Sequence, residues 1–295
     1  MSFQSTVAAH RVHQVPDRAI DAIITLALAE DHPRGDITAG TIVPAGATAT
    51  AVVAARQPGV LAGGRVFTRT MHAVDAAITG TQLVADGQRF AAGDRLIEVS
   101  GPAASILTAE RGALNLLQRL SAIATATRER VDLVAHTKAK IADTRKTTPG
   151  LRVLERYAVR CGGGVNHRDN LSEAFMAKDN HLALLHSPEA LTAALLDVRS
   201  RLGHTTTMEV EVDSIDQLPA VLAAGVDVIM LDNFTAQQIP DALEIINGQA
   251  IVEASGNINA HTVAGIAEAG VDVISSGALT HSVRAIDLGL DMVIA

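Results

Sequence analysis

The chain reads as an α/β protein in two parts, and three observations carry that reading. From His136 onward, short apolar runs alternate with helical segments, the pattern of parallel strands joined by crossover helices. Before Pro102, strands and tight turns dominate. The hydrophobic residues, 48% of the 295, are mainly Ala, Val, Ile and Leu, with no Trp and one Tyr, a supply that suits thin α/β layers.

The elements follow in order. Asp17 to Ala29 has helical spacing in Ile20, Ile23, Ile24, Ala27 and Leu28. Residues 30–36 form a turn-rich loop. Thr48 to Arg56 reads as a strand, and Gly63 to Ala77 as a short helix. Gln82 to Ala85 and Arg95 to Ser100 read as strands, separated by turns at Asp86-Gly87 and Ala92-Gly93-Asp94. Ala104 to Leu133 is strongly helical and contains Arg111, which spacing alone leaves on the surface. The later strands are Lys140 to Asp143, Phe175 to Lys178, Met208 to Val212, Val228 to Asp232, Ile251 to Ala254 and Val273 to Ser276. Helices are expected at Pro188 to Leu202, Ile215 to Ala224 and Thr262 to Ala269. Six strands in about 150 residues fall short of an eightfold barrel, which leaves an incomplete barrel or an open sheet.

Composition excludes several classes. Net charge of −8 argues against a phosphate-backbone binder, and 2% aromatics against base stacking on single strands. Cys161 is the sole cysteine, so no internal disulfide forms, and a buried inert thiol is favoured over a reactive one. The first 18 residues read as no signal peptide, and no apolar run reaches the roughly 18 residues of a membrane span, so a cytoplasmic protein is expected. His10 and His13 could share a helix face in the N-terminal tail, but the histidines show no zinc-cage spacing.

Each later strand ends on chemistry. Thr144, Arg145 and Lys146 follow the first. A helix-like segment with Pro149 at its start runs to Gly162-Gly163-Gly164, and His167-Arg168 comes next. Lys178 ends the second strand. Burying Arg145, Lys146, Arg168 and Lys178 together is costly unless anions compensate. Those anions are nearby acidic side chains or a ligand bearing carboxylates and phosphates. A solvated helix face fits less well, because these residues follow strands and glycines. Glu209 and Glu211 share one face of their strand, and Asp232 ends the next. Glu211 and Asp232 are candidate Mg²⁺ ligands, or partners for the basic cluster. Ser255-Gly256-Asn257 and Ser276-Gly277-Ala278 are glycine turns, each expected to lead into a helix and present N–H groups to a phosphate.

One stretch carries a resemblance. Asp143-Thr144-Arg145-Lys146-Thr147, Pro149-Gly150-Leu151-Arg152, Tyr157-Ala158-Val159, the glycine triplet, His167-Arg168 and Lys178-Asp179-Asn180-His181 resemble the signature of the quinolinate phosphoribosyltransferase family. Matches run from about Leu26 to the C-terminus. The resemblance implies an N-terminal α+β sandwich domain, residues 1–117 with 286–295 returning to it. It implies an irregular, partly open α/β barrel over 118–285, of type II phosphoribosyltransferase kind.

It also implies an activity: phosphoribosyl transfer from phosphoribosyl pyrophosphate to quinolinate with decarboxylation, in de novo NAD synthesis. By the same resemblance, Arg145, His167, Arg168 and an Arg111 donated by the other subunit of a homodimer hold the quinolinate carboxylates. Thr144 belongs to the same substrate set. Lys146 and Lys178 face the substrates' negative charge, Glu211 and Asp232 handle ribose hydroxyls and Mg²⁺, and the two glycine turns hold the 5′-phosphate. Neither nucleic acid nor membrane is an expected partner. Two positions depart from the family pattern: Asn257 replaces a common glycine, and Ala177 a bulkier residue. Asn tolerates left-handed backbone, so the turn is expected to survive. The alternatives are a paralogue of the same fold, such as a molybdenum-operon homologue or a nicotinate-specific enzyme, and a catalytically silent ligand-binding or assembly protein. The complete basic set with both carboxylates argues against silence.

Overall fold

The computed structural model describes residues 13–185 and 187–294. His10 lies outside the described residues. In chain order the elements are α1 (Asp17–Asp31), α2 (Ile37–Ile42), β1 (Thr48–Ala55), β2 (Gly59–Val60), α3 (Gly64–Val74), β3 (Thr79–Gln82), β4 (Arg89–Phe90), β5 (Arg95–Pro102) and α4 (Ala103–Val134). Then come β6 (Lys140–Ala142), α5 (Arg152–Cys161), β7 (Phe175–Ala177), α6 (Asp179–Leu182), α7 (Pro188–Arg201), β8 (Met208–Val212), α8 (Leu218–Ala223) and β9 (Val228–Asp232). The chain ends with α9 (Ile239–Ile246), β10 (Ile251–Ser255), α10 (Val263–Glu268), β11 (Val273–Ser275), α11 (Ala278–His281) and β12 (Leu288–Ile294).

The chain forms two compact units. One runs to Leu120 and regains the chain from Asp287; the other spans Ser121–Ile286. The first holds an antiparallel sheet in the order β12-β1-β5-β3, with Val53 opposite both Leu290 and Ile97. Alternation in β1 buries Ala49, Ala51 and Val53. The expected strand Gln82 to Ala85 is corrected to Thr79–Gln82, all four residues of which are exposed. A strand with no buried face leaves no apolar alternation to read.

The second unit holds a six-stranded parallel sheet in the order β6-β11-β10-β9-β8-β7. β6 and β7 are its two edges, so the barrel is open. One face of the sheet packs Val210, Ile229, Leu231, Val252, Ala254 and Ile274 against Leu195, Leu218, Val221, Ile239 and Val263 of the helices. The opposite face carries Glu209, Glu211, Met230, Glu253 and Ser255, because strand side chains alternate. At the N-terminal strand ends, Asp227 accepts the Met208 N–H at 2.7 Å and Asp272 the Val252 N–H at 2.9 Å.

The helix expected from Pro149 begins at Arg152 instead. Gly150 has φ +82, a left-handed conformation that interrupts a helix before it can start.

Candidate active site

β6 sets the site's first wall. Asp143, which follows it, is fully buried. Its carboxylate accepts the His167 N–H at 2.8 Å and the Asn166 side-chain amide at 2.6 Å. Burial pushes the Asp143 carboxyl above its ordinary value, and these bonds together with Arg156 oppose the rise. Residues 165–167 are thereby held along the end of β6, where Val165 donates to the Ile141 carbonyl at 2.8 Å. The glycine triplet before them serves close packing. A Cβ on Gly162 would stand 2.5 Å from Thr127 Cβ, and one on Gly164 2.8 Å from Thr127 Cγ2.

A cavity of 310 Å³ opens at the C-terminal strand ends, lined by Thr144, Arg145, Lys146, His167, Arg168, Lys178 and Ser255 among others. These are seven of the residues singled out from the sequence. Lys146 donates its N–H to Thr144 Oγ1 at 3.1 Å, and its carbonyl accepts from Thr280 Oγ1 at 2.8 Å. Its side chain lies over Gly277, where a Cβ would come within 2.8 Å of Lys146 Cδ. Lys178 is ion-paired with Glu211. Arg168 Nη1 donates to the Ala174 carbonyl at 2.9 Å. Burial, then the neighbouring Arg145 charge, lowers the Arg168 pKa, with Glu209 opposing. The buried Arg145 Nε has no hydrogen-bond partner. Two guanidinium groups thus repel each other beside a cavity, which is the electrostatics of an anion site waiting for its anion.

Carboxylates line the inner face beneath. Sheet register sets Glu211 beside Met230 and Met230 beside Glu253. Asp232 pairs in register with Ser255, and its carboxylate accepts from the Asn233 amide at 2.7 Å. His167 Nε2 lies 3.2 Å from Glu209 Oε2 and 3.6 Å from Glu253 Oε1. Burial and the Glu209 charge raise the Glu253 pKa to about 7. Burial opposes a charge on His167, but Glu209 and Glu253 outweigh it and lift its pKa above the ordinary histidine value. No site role for Glu209 or Glu253 emerged from the sequence. The available signal was a lone acidic residue inside an apolar strand, Ile251-Val252-Glu253-Ala254-Ser255, on the face that also carries Ser255.

The two glycine turns differ. Ser276-Gly277-Ala278 leads directly into α11, but the buried Ser276 spends its N–H on the Ala142 carbonyl at 3.0 Å. After Ser255-Gly256-Asn257, α10 does not begin until Val263, which corrects the expectation that both turns open a helix. Gly256 and Asn257 have φ +85 and +53, so the chain reverses there before it can wind. Asn257 does take the left-handed conformation, and its amide donates to Asn233 Oδ1 at 2.9 Å. Arg111 lies on α4 in the first unit, 60% exposed and 4.0 Å from Glu110. Cys161 is buried.

Glu211 and Asp232 are oxygen donors on neighbouring strands and the same sheet face, a set that suits Mg²⁺ completed by water and substrate oxygens.

Comparison with known proteins agrees over both units. The family model for the N-terminal domain of quinolinate phosphoribosyl transferase matches residues 36–121, and that for its C-terminal domain matches 123–291. The chain is 44% identical over 283 residues to the nicotinate-nucleotide pyrophosphorylase [carboxylating] of Mycobacterium leprae, covering 94% of this chain and 98% of that one. It is 39% identical to a probable enzyme of the same name from Bacillus subtilis, with 90% and 91% covered. The crystal structure of NadC from Streptococcus pyogenes superposes with a TM-score of 0.91 at 40% identity, covering 96% of this chain and 99% of that one. Human nicotinic acid phosphoribosyltransferase, at 16% identity, covers 92% of this chain and 73% of that one with a TM-score of 0.57, a likeness of fold alone.

Proposed function

The chain belongs to the quinolinate phosphoribosyltransferase family, and from that premise we propose that its cavity joins quinolinate to phosphoribosyl pyrophosphate. The products are nicotinate mononucleotide, pyrophosphate and carbon dioxide, in de novo NAD synthesis. The observation that carries the reading is the crowding of cations on the cavity wall, Arg145, Lys146, Arg168 and Lys178, with the buried Arg145 Nε unpaired. A dicarboxylate relieves both.

The chemistry is chiefly electrostatic. Arg145 and Arg168 take the quinolinate carboxylates and hold the ring nitrogen facing the ribose carbon. Lys146 and Lys178 stabilise the departing pyrophosphate as cationic character grows on that carbon. Glu211 and Asp232 would hold a Mg²⁺ ion, whose chemistry is to neutralise pyrophosphate charge. The ring nitrogen then bonds to the ribose carbon. The positive ring accepts the electron pair released when the adjacent carboxylate leaves as carbon dioxide, and the ring carbon takes up a proton. The turns at Ser255-Gly256-Asn257 and at Gly277-Ala278 suit the 5′-phosphate. The enzyme acts as a homodimer in which the exposed Arg111 completes the other subunit's site, and a cytoplasmic setting suits its soluble substrates.

A nicotinate-specific enzyme is the second reading, and the paired arginines disfavour it, since one carboxylate leaves an arginine unmatched. Turnover of quinolinate, nicotinate and nicotinamide measured side by side separates the two. Quinolinate alone should be used, and a comparable kcat/KM for nicotinate would sink the proposal.

A further inference from the structure

Both ring nitrogens of His167 are spent inside the protein. Nδ1 accepts the backbone N–H of Arg168 at 2.8 Å. Nε2 lies 3.3 Å from Glu209 Oε1, 3.2 Å from Glu209 Oε2 and 3.6 Å from Glu253 Oε1. An accepting nitrogen carries no proton, so the ring proton sits on Nε2 and points down at the two glutamates. An imidazolium would set an Nδ1 proton against the Arg168 N–H, so the arrangement is that of the neutral ring, present above the raised His167 pKa. Glu209 and Glu253 are each 4% exposed, and Glu253 Oε1, which has no hydrogen-bond partner, lies within ion-pair distance of His167. Neither glutamate lines the cavity. His167, which both approach, does line it, while the Glu209 charge also bears directly on the Arg168 guanidinium.

We propose that Glu209 and Glu253 are positioning residues: they anchor the Nε2–H tautomer of His167, whose Nδ1 in turn fixes the Arg168 backbone and aims its guanidinium at the aromatic diacid. The proposal rests on the substrate reading above and deepens it. His167 then works as a hinge between the sheet and Arg168. A glutamine at position 209 presents an amide N–H as well as an oxygen to Nε2, so the ring is free to adopt the other tautomer. Its Nδ1 proton then faces the Arg168 N–H, and the Arg168 turn shifts. Arg168 Nη1 is tied to the Ala174 carbonyl, so a shift of its backbone strains the far end of the side chain as well.

The test is ¹⁵N NMR of the histidine-labelled protein at pH 8.5, with the His167 signals assigned by their loss in His167→Gln, combined with steady-state kinetics. Wild type should show the Nε2–H tautomer, and Glu209→Gln a mixture of the two. The same variant should raise KM for quinolinate about tenfold, leaving kcat and KM for phosphoribosyl pyrophosphate within about twofold. Glu253→Gln, nearly isosteric, should move both readouts in the same direction, and it carries the test if Glu209→Gln does not fold. An Nδ1–H or doubly protonated ring in wild type overturns the proposal. So do variants with unchanged spectra and KM, and so does equal damage to both substrates. A divalent ion that copurifies with wild type and is lost from Glu253→Gln also overturns it, by making the trio a metal site. If wild type does not use quinolinate, the substrate reading fails, and the tautomer measurement still judges the anchor.

Discussion

The two ends of the parallel sheet both carry aspartates, and they do opposite work. At the N-terminal ends, Asp227 and Asp272 each precede a strand and accept a backbone N–H from the neighbouring one. Each also holds a surface cation, Arg199 at 3.0 Å and Lys138 at 2.7 Å. Burial works against ionisation of both, but these hydrogen bonds outweigh it and keep their pKa values below the ordinary aspartate range. At the C-terminal end, Asp232 accepts from the side chain of its own neighbour, Asn233. The cations there, Arg145 and Arg168, line the same cavity. Carboxylates at one end are spent on strand register, and charges at the other are held for a ligand. An α/β sheet separates its stability from its chemistry in this way.

Four substitutions would break or sharpen that contrast. The largest effect is expected for Arg145→Ala, with a loss in kcat/KM for quinolinate of roughly 2–5 kcal/mol, because a carboxylate is left unpaired in a partly dry site. Denaturant unfolding should show unchanged or slightly higher stability, since the repulsion with Arg168 is relieved. A destabilised Arg145→Ala protein would mean that this end also holds the fold together. The same variant tests the shared site. Unfolded and refolded together with inactive Arg111→Ala, it should recover about a quarter of wild-type activity, since half the dimers are mixed and each has one intact site of two. No recovery from mixed dimers shown to form would place Arg111 outside the partner's site.

Asp232→Asn should come second. Titrations should show weaker phosphoribosyl pyrophosphate binding by about 2 kcal/mol, with quinolinate affinity nearly unchanged and Mg²⁺ stimulation lost. Equal affinities for both ligands in variant and wild type would remove Asp232 from the metal and ribose role.

The smallest effect belongs to the other end. Asp272→Asn should cost about 1 kcal/mol in urea unfolding, a charged hydrogen bond discounted for its exposure, with kcat/KM within about twofold of wild type. The carboxylate's folded pKa lies below its ordinary value of 3.8. Its contribution is therefore present above that value and lost as pH falls through the lower folded one. The difference between variant and wild type should accordingly shrink below about pH 4. A gap that persists in acid would mean that the bond to Val252 does not depend on the charge.

Much of this was legible in the residues, for reasons that differ by element. Met208–Val212 and Val228–Asp232 stand where the sequence places them, the first a strict alternation of apolar and acidic residues and the second an apolar run that ends on Asp232. The basic cluster was legible because cations after strands and glycines need a partner. Thr79–Gln82 was not, having no buried face, and neither was the late start of α10, set by two successive left-handed residues.

What the sequence determined by itself is local: periodicities of strand and helix, turns where glycine or asparagine relieves the backbone, and an inventory of charge that asks for a dianionic ligand. What only the tertiary structure decided is which of those charges meet. Glu209 and Glu253 are 44 positions apart and on strands that are not neighbours, with β9 between them. Parallel register turns both to one face, and the Asp143 anchor swings His167 over them. Burial then makes their meeting matter, because two carboxylates that water would screen in the unfolded chain must share one imidazole in a dry floor.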